Sequence, residues 1–381
     1  MRRAAHERGW PRTFMSAALF SALLDVACRA VFSAEPNAVP ALAPLKIGLV
    51  LPPGEPEAES IRRGAEIGVR LAGLSLGREV ELIVRGSPGQ WGTEGDDAVA
   101  LALDAGAQAL VAPTLGTTVH LVEQVAGRTR IPVVSLCGDA SVTGARIPWA
   151  LRIVPTTADE ARTLFAQSRV APGKPVKRWA ALVPTGRPGR EAAKDLGLAA
   201  KAAGCEIMEV VMVPDTGDDF AALVKQATRA SPEGLLLWLE PALAARLARA
   251  ARDSNYAGLL AGSGRLSGPS FLKMAGPAVE GFHTTRPVQT PASATRREEF
   301  WAGYTAQFRD PPEPVAEAAA DAVSLLATIL REAGARPAFM SFPPREEQPG
   351  ITGPLRFDAT GNRLVELEIV VARNGRFERW D

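Results

Sequence analysis

The chain has 381 residues, 46% hydrophobic and 22% charged, a length and composition that supply buried material for two domains rather than one. Its 43 Lys and Arg against 42 Asp and Glu leave a formal net charge of +1, which removes any bulk electrostatic case for binding nucleic acid or an anionic membrane surface. With 3 Cys and 3 His, neither a disulfide framework nor a His-based metal centre is expected, and no cofactor is implied. The expected partner is a small molecule or another protein.

Residues 1–34 begin with a basic head, Arg2, Arg3, Arg8 and Arg12, followed by a mostly apolar run over 14–27 and by small residues at Ser33 and Ala34. This is the layout of a secretory signal peptide; the run is too short for a membrane span and is broken by Asp25. Export to the periplasm is expected. A lipidation cysteine normally has an aliphatic residue three positions before it, where Asp25 stands before Cys28, so anchoring through Cys28 is the lesser alternative. Residues 35–44, EPNAVPALAP, read as a Pro/Ala linker.

From Lys46, short apolar runs alternate with amphipathic stretches: KIGLVLP, AESIRRGAEIGVRLAGL, EVELIVR, GDDAVALALDAGA, QALVAP, TTVHLVEQVAGR and IPVVSL. Such alternation specifies βαβ units and a parallel sheet buried on both faces. After PWALRIVPTTADEARTLFAQ the same order returns in RWAALVP, GREAAKDLGLAAKAAG, CEIMEVVMV, DFAALVKQATRA, PEGLLLWLE, PALAARLARAARDSN and AGLLAGSG, giving a second α/β half. GFHTTRPVQTP reads as an extended crossing, followed by two helices near 294–308 and 315–334 with no strand between them. A helical block without a strand must lie on a sheet already made. The chain ends with a Gly/Pro turn in GITGPLRFDATGN and an alternating strand pair joined at Asn374-Gly375, a hairpin signal.

The succession KIGLVLP, RRGAEIGVRLA, IPVVS with LRIVPTTADEA, VEGFHTTRP, AADAVSLLATIL and ITGPLRFDATGNR resembles that of the type I periplasmic substrate-binding proteins, in particular the branched-chain amino acid receptors of ABC transporters. No single motif is specific; the order from residue 45 to the C-terminus is, and GPLRFDATGN is the piece most like the family. The resemblance implies an α/β fold of two Rossmann-like lobes with parallel central sheets, joined by three crossings that form a hinge. It implies lobes that are discontinuous in sequence, 45–153 with 286–348 and 154–285 with 349–381.

In open parallel sheets a ligand binds beyond the carboxyl ends of the strands, where helix N-termini offer unpaired N–H groups and partial positive charge. APTLGTT and SLCGDAS are two such ends in the first half, and their candidate ligand-binding residues are Thr114, Gly116, Thr117, Thr118, Cys137, Gly138 and Asp139. They suit a carboxylate or another polar group; without the family context the same residues read as ordinary helix caps. The resemblance implies a Ser at Gly116, a Thr at Asp139, and an aromatic residue in the loop PTGRPGREA, where Arg187 stands. It also implies an acid for a ligand's α-amino group in the turn AGSGR, where this chain offers Ser263 and Gly264. A buried ammonium without a carboxylate is costly, so an ordinary α-amino acid fits poorly. Arg187 is a candidate partner for a ligand carboxylate and Glu240, ending LLLWLE, for a cation, although either also reads as a solvated loop residue. Ser263 completes the candidate set. Trp238 reads as core, and Glu57 and Glu59 stand where the family closes its cleft from the first lobe.

There is no GxSxG elbow, HExxH, Walker loop or GxGxxG after the first strand, and no enzymatic activity is expected. The resemblance implies a monomeric receptor that takes up a small polar or carboxylate-bearing ligand by hinge closure and delivers it to a membrane permease of an ABC transporter with its ATPase. The alternative is a ligand sensor or envelope regulator of the same fold with a degenerate cleft.

Overall fold

A computed structural model describes residues 42–380 except 56, 91, 145, 148, 172, 218 and 335–342. The expected leader, Cys28 included, and most of the linker lie outside the described residues. Among those described, no helix is long and apolar enough to cross a membrane.

The first sheet contains β1 (Leu45–Val50), β2 (Val80–Arg85), β3 (Ala109–Ala112), β4 (Val133–Ser135) and β5 (Ala150–Arg152), all parallel, in the order β2-β1-β3-β4-β5. Between them run α1 (Ala58–Leu76), α2 (Thr93–Val99, continued by a π turn to Asp104), α3 (Gly116–Thr129) and the short α4 (Ser141–Gly144). The chain then passes through α5 (Thr157–Gln167), a small antiparallel pair β6 (Arg169–Ala171) and β7 (Lys174–Pro175), β8 (Arg178–Pro184), α6 (Gly186–Ala202) and β9 (Glu206–Val213). α7 (Phe220–Thr228), β10 (Gly234–Leu237), α8 (Pro241–Asp253), β11 (Leu259–Gly262), α9 (Pro269–Ala275) and β12 (His283–Pro287) follow. The last elements are α10 (Pro291–Phe308), α11 (Pro314–Ala333), β13 (Gln348–Gly350), β14 (Gly353–Leu355), β15 (Leu367–Arg373) and β16 (Arg376–Arg379). The second sheet runs β9-β8-β10-β11-β12-β15-β16 and is parallel as far as β12, then antiparallel.

Both sheets are covered on two faces, which is why their strands read as apolar runs rather than alternations. In the first, Leu45, Ile47, Leu49, Ala109 and Val111 join a core shared with α1 and α11, while Val50, Leu110 and Ala112 face α2 and α3. In the second, Ala180, Leu182, Leu235 and Leu237 pack on α7, α8 and α9, and Trp179, Ala181 and Val183 on α5 and α6. The closing hairpin turns at Asn374 and Gly375, both at positive φ (51° and 75°), as a type I′ turn requires.

The late helical block lies on the first sheet. Gly64 and Gly68 bring α1 against the backbone of α11: a Cβ at Gly64 would stand 2.2 Å from the Ala316 carbonyl oxygen, and one at Gly68 2.8 Å from Ala320 Cα. One expected boundary needs correction. Ile351 packs with Ile67, Phe300 and Ala316, and Leu355 and Phe357 lie in the core with Leu45 and Ala319, so 349–357 belongs with the first lobe. The reason is Asp321 of α11, whose carboxylate accepts the N–H groups of Ile351 (2.6 Å) and Thr352 (2.8 Å) and pins that turn to the helix.

Three chain segments pass between the lobes, and hydrogen bonds tie them together. The Arg152 N–H donates to the Gly361 carbonyl (3.0 Å) and the Val288 N–H to that of Glu366 (2.9 Å). Arg363, buried, donates to the carbonyls of Ile153 (2.9 Å), Thr352 (3.1 Å) and Pro354 (3.1 Å). Gly361, at φ 86°, is obligatory here, because a Cβ would stand 2.2 Å from the Ala150 carbonyl oxygen.

The contact of α1 with α11 makes a direct prediction. Gly64→Leu should lower the urea midpoint by the equivalent of about 3 kcal/mol, the upper range for overpacking a tight contact. Gly127→Ala in α3, where a Cβ meets nothing within 4 Å, should instead leave stability unchanged or raise it by about 1 kcal/mol.

Candidate functional site

In each sheet the strand order reverses once among the parallel strands, at β1/β3 in the first and at β8/β10 in the second, and such switch points leave a crevice beyond the strand ends. The loops there open on a cavity of about 840 Å³ lined by residues of both lobes. Thr114, Gly116, Thr117, Cys137, Gly138, Asp139, Arg187, Glu240 and Ser263 all line it. Thr118 does not: it points into the first lobe and is 2% exposed, the consequence of lying one helical position, about 100°, beyond Thr117.

The donors at the ends of β3 and β4 are partly engaged by the protein's own acids. Glu55, buried in the loop after β1, accepts the Thr114 N–H (2.7 Å) and the Thr114 hydroxyl on one oxygen, Oε1. Burial raises the pKa of Glu55, and the two bonds from Thr114 oppose that rise. Asp139 lies beside the first residue of α3, where the helix dipole favours an anion; a Cβ at Gly116 would stand 2.8 Å from its Oδ2, so glycine there makes room for the carboxylate. Its Oδ1 accepts the Ser141 N–H (2.8 Å). Cys137 is buried, its Sγ accepts the Asp139 N–H (3.4 Å), and burial pushes its thiol up to about 12. It is therefore a neutral wall, not a nucleophile.

On the second lobe, Glu240 is the N-cap of α8, accepting the N–H groups of Ala242 (3.1 Å) and Leu243 (2.8 Å). This capping engages each oxygen once and leaves the carboxylate, at the cavity wall, with further acceptor capacity. Ser263 is buried, and its carbonyl accepts the Thr284 hydroxyl (2.7 Å). Trp238 packs in the core with Trp179 and Leu236 and shows 9% of its surface at the cavity wall.

Two arginines reach across the cavity. Arg187 Nη2 lies 3.9 Å from Asp139 Oδ2, 3.3 Å from Ser141 Oγ and 3.4 Å from His120 Nε2. Arg265, in the turn after β11, pairs with Glu57 through Nη2 (2.5 Å) and Nε (3.1 Å). Glu57 holds a left-handed backbone, φ 59°, at the start of α1. Glu59 instead pairs with Arg62 and Arg63 on the outside of α1. Ser141, His120 and Glu123 stand in line, with His120 Nε2 2.9 Å from Ser141 Oγ and Nδ1 3.0 Å from Glu123. Yet neither Ser141 nor His120 lines the cavity, and the Arg187 guanidinium sits at the hydroxyl where a substrate carbonyl would have to approach. The Glu123 hydrogen bond raises the His120 pKa, which favours the charged imidazolium over a free base. The line is a support for the Arg187 contact.

Glu55, Glu160 and Arg265 carry much of the charge in this region and escaped the sequence reading. Glu160, in the first turn of α5, lines the cavity and accepts the Gly264 N–H (2.9 Å) and the Thr285 hydroxyl (3.2 Å) on Oε1. Burial raises its pKa to about 7, against those hydrogen bonds and the charge of Arg265. Nothing in LRIVPTTADEA marks Glu160 as different from Asp159, which closes a capping box with Thr156. Only the Arg immediately after AGSG carried a readable signal, a charge in a turn that the resemblance reserves for an acid.

The sequence matches the family model described as periplasmic binding protein over residues 44–366. No curated protein matches it in sequence. Among solved structures, the leucine-binding protein LivK of Thermotoga maritima is similar at 18% identity with a TM-score of 0.74, over 88% of this chain and 98% of that one. LivJ of Streptococcus pneumoniae in complex with isoleucine is similar at 16% identity and TM-score 0.75, over 88% and 98%. A solute-binding protein of an ABC transporter from Rhodopseudomonas palustris in complex with benzoate is similar at 17% identity and TM-score 0.76, over 88% and 95%. With the two-lobed α/β architecture and the family match over most of its length, the chain belongs to the periplasmic binding proteins.

Proposed function

We propose that this protein is the solute receptor of an ABC importer, working in the periplasm as a monomer. It binds a small polar or carboxylate-bearing molecule between its lobes and presents the closed form to a membrane permease with its ATPase. The observation that carries this reading is the cavity of about 840 Å³ lined from both lobes, in a chain whose structural relatives bind leucine, isoleucine or benzoate. The volume suits a small molecule. Closure follows from geometry: a ligand that touches Thr117 and Gly138 on one side and Arg187 and Ser263 on the other gains contacts only when the lobes meet, and so favours the closed form. The functional division of the lobes is the one drawn by the three crossings.

A second reading, a sensor or regulator with a self-filled cleft, draws on one observation. Glu55 and Asp139 already occupy the Thr114 amide and the head of α3. Mass spectrometry of small molecules released from natively purified protein separates the two. A receptor retains a solute and gains about 2.7 kcal/mol of stability at a hundredfold excess over its Kd; a regulator of this kind shows neither.

Two further outcomes are expected. Arg265→Ala removes the ion pair with Glu57, so the ligand-free protein should spend more time open and show a larger radius of gyration by X-ray scattering; an unchanged radius would remove Arg265 as a closing contact. Thr117→Ala and Arg187→Ala should each weaken binding of the retained solute at least about fivefold, near 1 kcal/mol, in calorimetry, with melting curves still cooperative.

A further inference from the structure

Glu160 is a carboxylate without a cation. It lines the ligand cavity, and its Oε1 is fixed by Gly264 and Thr285. Its Oε2 has no partner among the described residues, and no basic side chain forms an ion pair with it there. Arg265, whose charge acts on Glu160, is committed to Glu57. Its other charged neighbours do not neutralise it either. Asp159 on its own helix is of like charge, and on β12 Arg286 is paired with Glu368 of β15. Acids placed this way are stabilised by a matching positive group or hold their proton.

The seat of this carboxylate is built. A Cβ at Gly264 would stand 2.6 Å from Glu160 Oε1 and 3.0 Å from the Thr285 carbonyl oxygen, so the absence of a side chain at 264 is what lets α5 bring its acid into the cavity. An acid at 264 would crowd Glu160 Oε1 and add a like charge beside it.

We propose that Glu160 is a specificity-determining residue that receives a cationic nitrogen of the ligand, so that the solute is an amine-bearing compound rather than a simple organic anion. This rests on the solute-receptor reading. The ammonium takes Oε2 while Gly264 and Thr285 hold Oε1, and the polar or anionic end of the same molecule lies toward Thr117 and Gly138 or Arg187. An amine-bearing ligand then supplies the charge that the folded protein lacks when empty.

The test uses the full mature protein and Glu160→Gln, an isosteric change whose amide oxygen still accepts from Gly264. Thermal shift and calorimetry are run with amino acids and aliphatic amines, each beside its analogue lacking the amine, and with benzoate. Wild type should bind an amine-bearing compound at least about tenfold more tightly than its amine-free analogue, a difference of about 1.4 kcal/mol, and the Gln variant should lose that preference. A second readout needs no ligand. Glu160 keeps its proton to about pH 7 in the folded state and to the ordinary carboxylate range when unfolded. Between those values the folded chain holds more protons, so stability falls as pH rises. The Gln variant should lack this loss and be the more stable protein at pH 8; because His120 also titrates nearby, the two proteins are compared at each pH. If the tightest ligand, from the panel or released from the native protein, carries no cationic nitrogen, or if Glu160→Gln keeps the wild-type preference, the proposal is overturned while the receptor reading stands. If no compound binds and none is released, both fall.

Discussion

A single buried guanidinium ties together the segments that pass between the two lobes. Arg363 lies 4% exposed and donates to carbonyls on the first crossing and on the turn that precedes the third. Five donors in a planar fork can satisfy several carbonyls at once, and no other side chain offers this. Burial lowers its pKa to about 10 against the pull of Asp321, which leaves it charged at any physiological pH. Losing it would leave a set of buried carbonyls unpaired at the point where the chain must bend, each a costly defect.

What the hinge brings together is a cavity with an unusual division of charge. The first lobe presents acids, Glu57 and Asp139, where its fold supplies amide donors; the second presents Arg187 and Arg265 opposite them. Each pair is only partly buried, and pairs so exposed to water contribute at most about 1 kcal/mol. Both pairs run from one lobe to the other across the cavity. Glu160 has no such counterpart among the described residues.

The order of elements was legible because both sheets are buried on two faces. KIGLVLP, QALVAP and RWAALVP could be placed from apolar runs alone, and Asn374-Gly375 from the demand for two positive φ values. The boundary at 349 was not, because ITGPLRF has no periodicity, and its attachment depends on Asp321, distant in sequence. At the site, strand ends and small residues pointed to nine of the lining positions. The engagement of their donors was hidden: Glu55, Glu160 and Arg265 lie on other elements, and a carboxylate that caps a helix reads in sequence like one that awaits a ligand, as Glu240 shows.

The position of α11 has a bearing on how the molecule is assembled. The strands of the first sheet are all in place by Arg152, yet the face formed by Leu45, Ile47, Leu49, Ala109 and Val111 has its cover completed only by a helix that begins at Pro314. Every strand of the second lobe from β8 to β12 lies between them in the chain. Ribosomal order and spatial order thus disagree: the sheet of the first lobe emerges first and its cover is completed late. Its core is one of long sequence separation, slow to form, and a chain that stopped ahead of Pro314 would leave α1 as the only described helix on that apolar face.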